Sequence, residues 1–236
     1  MISINTNNGG LFAAKAASQS QATIDSAMQR LSTGSRINNA KDDAAGQAIA
    51  TRLTAEIQGL EIASRNVADG QSLVDTAEGA LQETHTLLLR MREIGVQAAN
   101  GTLSTSDNQA LDAEFQQLVK EIDRIAQNTT WAGAALLNGD GGTVDTSETF
   151  SFQAGVGNNS GADVFDVTVK NADSTTLDVF VANASDSTVN DVNLLSQTSA
   201  GSAITAVDAA IATVSSERAN LGAVSNRMAS TMANLD

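Results

Sequence analysis

Counted in sevens from Leu53, the chain places Leu53, Leu60, Val67, Val74, Leu81 and Leu88 at successive heptad positions without a miss, the pattern of a coiled-coil seam. The position three after each carries Glu56, Ala63, Gly70, Ala77, Thr84 and Met91. This second row is mostly small and lets a partner helix come close. The pattern predicts one long helix from Asp43 to Asn100, on the order of 85 Å at 1.5 Å per residue. Gly46, Gly59, Gly70, Gly79 and Gly95 lie inside it, each costing roughly 0.8 to 1 kcal/mol against Ala, so bundle packing must hold it.

A shorter helix precedes it, with Ala17, Ile24, Met28 and Leu31 on one stripe and Gly34 where a left-handed C-terminal residue is commonly needed. Asp42 and Asp43 stand where carboxylates favour the start of the long helix. Neighbouring acids on a helix do not face each other, so capping is preferred to a metal or catalytic role. After Asn100-Gly101, the run Ser106-Asp107-Asn108-Gln109 has capping-box spacing for a second helix. Its apolar residues Leu111, Phe115, Leu118, Ile122 and Ile125 alternate by four and three. The short connection implies an antiparallel pair.

From about Thr129 to Val192 the period drops to two: Phe150 and Phe152, then Phe165, Val167 and Val169, then Leu177, Val179 and Val181. These are strand-like runs, separated by turn signals at Gly139-Asp140-Gly141-Gly142 and Gly155-Val156-Gly157, and they predict a small antiparallel sheet. Between Asp140 and Asp191 there are nine acids and one Lys, so this stretch is expected to be a solvated, acidic outer element. The last segment returns to helix through Ile204, Val207, Ile211 and Val214, then Leu221, Met228, Met232 and Leu235. The fold class is mainly α, an elongated antiparallel helical bundle or coiled-coil rod with a small antiparallel β insert. Its parts are 1–42, 43–138, 139–199 and 200–236.

Composition narrows the function. The 236 residues are 42% hydrophobic but only 3% aromatic, with no Pro and no Cys, so narrow seams of Ala, Leu, Val and Ile replace a single globular core. A net charge of -14 argues against nucleic acid, which needs a positive surface. No apolar run approaches a membrane span, and the N-terminus has neither a basic nor an apolar signal region. His85 is the sole histidine. It lies off the seam and is read as a solvated face residue, leaving zinc poorly served. Gly155-x-Gly157 lacks the third Gly of a dinucleotide loop and is read as a turn. No cofactor and no catalytic residue are expected.

Arg30-Leu-Ser-Thr-Gly-Ser-Arg-Ile-Asn38 followed by Ala40-Lys-Asp-Asp-Ala-Ala-Gly-Gln-Ala-Ile-Ala50 resembles the N-terminal signature of bacterial flagellins. Leu89-Arg-Met-Arg-Glu-Ile-Gly-Val-Gln-Ala-Ala-Asn-Gly101 resembles the family's next strong motif, and Ser216-Glu-Arg-Ala-Asn-Leu-Gly-Ala-Val224 its C-terminal bundle helix. The resemblance implies a D0-like helix and spoke over 1–42, a D1 helical hairpin over 43–138, a short β-rich insert and a D1 C-terminal helix. It also implies an extracellular filament subunit, exported without a cleaved signal. The implied partners are its own copies, the export machinery, the filament cap and the vertebrate Toll-like flagellin receptor. For that receptor the matching positions are Arg90, Ile94, Gln97 and Glu114, with Ile94 where the family usually has Leu. Zinc-peptidase flagellins need His-Glu-x-x-His, which one histidine cannot supply. Two other readings are a hook-filament junction protein, which the 39–48 run fits less well, and a surface-binding protein on the same frame, which one Trp and no Tyr serve poorly.

Flagellins of this kind continue past the 216–224 motif into a helix that pairs with the N-terminal one, whereas this sequence stops at Asp236. The expectation is therefore a flagellin lacking the C-terminal D0 helix, with residues 1 to 40 poorly ordered in a free monomer, since isolated helices near this length are marginal. The 236-residue chain is expected to stay a soluble monomer, and a version extended by a family-type terminal helix to grow filaments. Electron microscopy showing self-grown filaments, or protease protection of residues 1 to 40 in a proven monomer, would overturn this.

Overall fold

The computed structural model describes residues 7–138, 147–157, 159, 163–179 and 192–235. The chain divides into two compact units, Met1–Gln58 and Gly59–Asp236. The elements are α1 (Asn8–Thr33), α2 (Ala44–Ala98), α3 (Thr105–Asn128), β1 (Thr130–Trp131), β2 (Ala134–Ala135), β3 (Glu148–Gln153), β4 (Val164–Val169) and α4 (Gln197–Leu235).

In the first unit α1 begins at Asn7, whose Oδ1 accepts from the Gly10 N–H at 2.9 Å, and ends at Gly34 with φ 66°. No residue of α1 is buried. The expected stripe is present but bare, with Leu31 84% exposed. Asp42 and Asp43 split their work. Asp42 Oδ2 accepts from the Asn38 and Asn39 N–H groups, folding the approach, and Asp43 Oδ1 accepts from the Gly46 N–H at 2.8 Å, capping the start of α2. A Cβ on Gly46 would strike that same carboxylate and Ile37, so the glycine that costs helix propensity makes room for the cap.

The heptad seam is buried only from Ala63 and Val67 onward: Leu53, in the first unit, is exposed, and Leu60, in the second, is half-buried. Val67, Val74, Leu81 and Leu88 are buried, and so are Ala63, Gly70, Ala77, Thr84 and Met91. On α3 the buried line is Phe115, Val119, Ile122 and Ala126. Leu111 and Leu118 pack at its margin, and Ile125 is only half-buried. On α4 the line is Ala200, Ala203, Val207, Ala210, Val214, Glu217, Leu221 and Met228. Reading by bulk found Val207, Val214, Leu221 and Met228, but it placed the half-buried Ile204 and Ile211 beside them and passed over the alanines, because alanine gives a weak hydrophobic signal. Arg92 pairs with Asp208 at 2.6 Å and Arg218 with Glu78 at 2.8 Å. Descending α2 thus means ascending α4, and the two run antiparallel. Glu217, beside Arg218, is buried and accepts from the Lys170 N–H at 3.2 Å, so adjacent residues tie α4 to α2 and to the chain leaving β4.

The cap of α3 differs from the reading. Ser104, not Ser106, is the N-cap, and its box partner is Asp107. In the insert, β3 and β4 pair antiparallel from Glu148↔Val169 to Gln153↔Val164. Phe165, Val167 and Val169 join the helical core, with Phe150 and Phe152 packed on it. One face of the hairpin is therefore core, so this part is not the wholly solvated outer element expected. The Leu177–Val179 run is not a strand. The Asp173 carboxylate accepts from the Thr176 N–H, its carbonyl accepts from the Leu177 N–H, and Asp178 has φ 56°, which rolls the segment into a turn while Leu177 and Val179 stay buried. Phe180, Val181 and the 139–142 turn lie outside the described residues, as does much of the acid count.

Two carboxylates of α3 hold distant backbone: Asp123 accepts from the Ser174 N–H at 2.9 Å and Asp112 from the Leu194 N–H at 2.8 Å. The hairpin of β1 and β2, missed by periodicity because its strands are two residues each, pairs Thr130↔Ala135 and Trp131↔Ala134. Its loop residues Ala132 and Gly133 have φ 50° and 88°, the double positive φ of a type I′ turn. A non-glycine residue there carries roughly 1 kcal/mol of strain, which Asn tolerates better than Ala. We expect Ala132→Asn to stabilise the chain by about 0.5 to 1 kcal/mol, read as a raised urea midpoint at unchanged slope. A lowered midpoint would refute the turn assignment.

Candidate charged surface on the second and third helices

Arg90 and Arg92 stand two apart on α2, about 200° around the helix, so they leave opposite flanks of the buried seam. Arg92 reaches α4 through Asp208, and Arg90 reaches α3. The Arg90 guanidinium donates twice to Glu114 Oε1, from Nε at 3.1 Å and Nη2 at 2.8 Å, and once to Glu93 Oε2 at 3.0 Å. Hydrogen bonds to Glu114 first, then to Glu93, hold it above the ordinary arginine range. Arg92 is raised likewise by Asp208. Exposed pairs of this kind contribute little to stability. What they fix is the position of a charged group at the α2–α3 junction.

Of the four residues expected to present one surface, the structure joins Arg90 and Glu114 directly and leaves Gln97 exposed about two turns on. Ile94 does not belong to that surface. It is 1% exposed, because the side of α2 four residues beyond Arg90 already turns into the seam beside Met91 and Ala98. Its role is to support the patch from below. Glu93 completes the patch and was missed, although its position three after Arg90 is a helical-neighbour signal. His85 is half-buried rather than freely solvated.

The junction itself is held by the cap of α3. Ser104 donates its N–H and its hydroxyl to Asp107 Oδ2, at 3.0 and 2.7 Å, and accepts the Asp107 N–H at 3.3 Å. The Ser104 hydroxyl, then its backbone, hold the Asp107 carboxyl below its usual range, and Arg124 does the same for Glu121.

A family profile of the bacterial flagellin N-terminal helical region matches residues 4–141, and one of the C-terminal helical region matches residues 204–236. Over 210 residues the chain is 45% identical to a flagellin of Halalkalibacterium halodurans, spanning 89% of this chain and 71% of that one. It is 46% identical over 154 residues to flagellin A of Vibrio anguillarum, covering 65% of this chain and 39% of that protein. Among solved structures, the crystal structure of Bacillus cereus flagellin superposes with a TM-score of 0.57 at 29% identity, over 72% of this chain and 88% of that one. A putative flagellar hook-associated protein from Vibrio parahaemolyticus gives 0.65 at 15% identity, over 84% and 94%, and shares the fold. The class is that of structural, filament-building helical proteins. The chain belongs to the bacterial flagellins, subunits of the flagellar filament, an extracellular homopolymer.

Because Asp107 and Glu121 titrate lower folded than unfolded, their stabilisation is complete above the usual carboxylate range of about 4 and is lost as pH falls through their depressed values. Ser104→Ala should therefore lower the melting temperature at neutral pH, and lower it less in acid below the depressed Asp107 value, where the carboxyl is protonated. An equal loss at both pH values would show that the box does not act through the carboxylate.

Proposed function

We propose that this subunit works by packing alone: that it is exported by the flagellar machinery without a cleaved signal, adds to the filament beneath the cap, and as a free monomer is bound by the vertebrate Toll-like flagellin receptor. The observation that carries the receptor reading is the Arg90–Glu114 pair, supported by Glu93 and flanked by exposed Gln97. A guanidinium held by two carboxylates is already ordered, so a partner that engages it loses little side-chain freedom on binding. Ile94 enters only through packing. Its exchange for the family's Leu conserves volume and should cost less than about 1.5 kcal/mol.

Arg90→Ala removes the centre of the patch without touching the seam. Binding of the receptor ectodomain to the monomer should weaken roughly tenfold or more, as truncating a hydrogen-bonded charge does, while circular dichroism stays that of the parent. Unchanged binding would mean that the positions carried over from the family do not form the receptor site here. Ile94→Leu, by the same reasoning, should leave binding near the parent value.

A further inference from the structure

About six turns along α2 from Arg90, an open groove of about 680 Å³ is lined by Asn66, Asp69, Trp131, Ser151, Phe152 and Gln153. Most of its amide and hydroxyl donors are already used within the chain. Asn66 Nδ2 donates to the Gln153 carbonyl at 3.1 Å, Gln153 Nε2 to the Gly155 and Gly157 carbonyls at 2.9 Å, and Ser151 Oγ to Asp166 at 2.6 Å. Apart from the indole N–H of Trp131 and the second N–H of Asn66 Nδ2, what is left is acceptor and π surface. Trp131 and Phe152 are half-buried, so each ring retains an accessible part, and Asp69 is exposed with no ion pair among the described residues. A carboxylate beside two aromatic rings matches a planar or compact organic cation.

We infer that this groove binds a single guanidinium or primary ammonium group, with Asp69 as its counter-ion and Trp131 and Phe152 as its apolar and π walls. Arg65, one turn before Asp69, makes no ion pair with it, and a cation preceding an acid by four is the weaker order on a helix. The cation therefore comes from outside the subunit, either as a free small molecule or as a side chain of another copy. Arg65, Lys120 and Lys170 are exposed cations of the second unit with no carboxylate partner among the described residues.

Trp131 is the chain's one Trp and there is no Tyr, so intrinsic fluorescence reports this groove alone. The full chain at low salt is titrated with N-acetyl-arginine amide and with its uncharged citrulline counterpart. The arginine probe should change Trp131 emission saturably and the citrulline probe should not. Asp69→Asn should weaken the response about tenfold or more, and Asp69→Glu should keep it. A dilution series without probe separates the sources. Emission that varies with protein concentration, and ceases to vary in Asp69→Asn, assigns the cation to another copy. Flat emission with a saturable probe response assigns it to a free molecule. Equal responses to both probes, or an unchanged midpoint in Asp69→Asn with parental circular dichroism, would overturn the inference.

Discussion

The helices of the second unit hold together through side chains too small to keep them apart. Ala63, Gly70 and Ala77 on α2, and Ala200, Ala203 and Ala210 on α4, are buried at positions where a globular core would carry Leu or Phe. Each small residue buries little area and adds little of the roughly 25 cal/mol per Å² that burial supplies. Their contribution is proximity, which lets the larger neighbours make many short dispersion contacts. Gly70 marks the limit, since a Cβ there would lie 2.9 Å from Met228 Cε and 3.1 Å from the Phe152 ring. The polar ties cross the same pair of helices, Arg92 to Asp208 and Arg218 to Glu78.

How much could be read beforehand follows from what each signal measures. The heptads from Val67 to Leu88 were legible because bulky residues recur without interruption, and α2 behaves accordingly. On α3 and α4 the bulky residues Phe115, Ile122, Val207, Val214, Leu221 and Met228 lie on the buried line as expected, whereas the positions between them are held by Val119, Ala126, Ala203 and Ala210. Alanine is equally at home buried or exposed, so a hydropathy pattern cannot place it. The Leu177–Val179 run failed for another reason. Apolar alternation detects burial, and both residues are buried, but the side chain and carbonyl of Asp173 compete with strand pairing for that backbone.

The surface at the α2–α3 junction was only partly legible. The charged residues Arg90 and Glu114 could be expected to meet across an antiparallel pair, whereas Ile94 could be assigned to surface or seam only by knowing the rotation of α2. That rotation is set by the small-residue line, at about 100° from Arg90 on one flank and from Arg92 on the other. One apolar face thus decides both which residues pack and which charges are presented.

Asp112 and Asp123 have a consequence for the chain beyond their own helix. Each takes a backbone N–H from beyond its own helix, Leu194 on one side and Ser174 on the other, so the bundle grips the polypeptide at two points that flank residues 180–191. Backbone contacts are indifferent to side-chain identity. Material added between the two grips changes the closure entropy by only about 0.6 kcal/mol per doubling of length, and the helices register neither its size nor its sequence. A scaffold fastened in this way keeps its seam while the length of chain between the two grips changes.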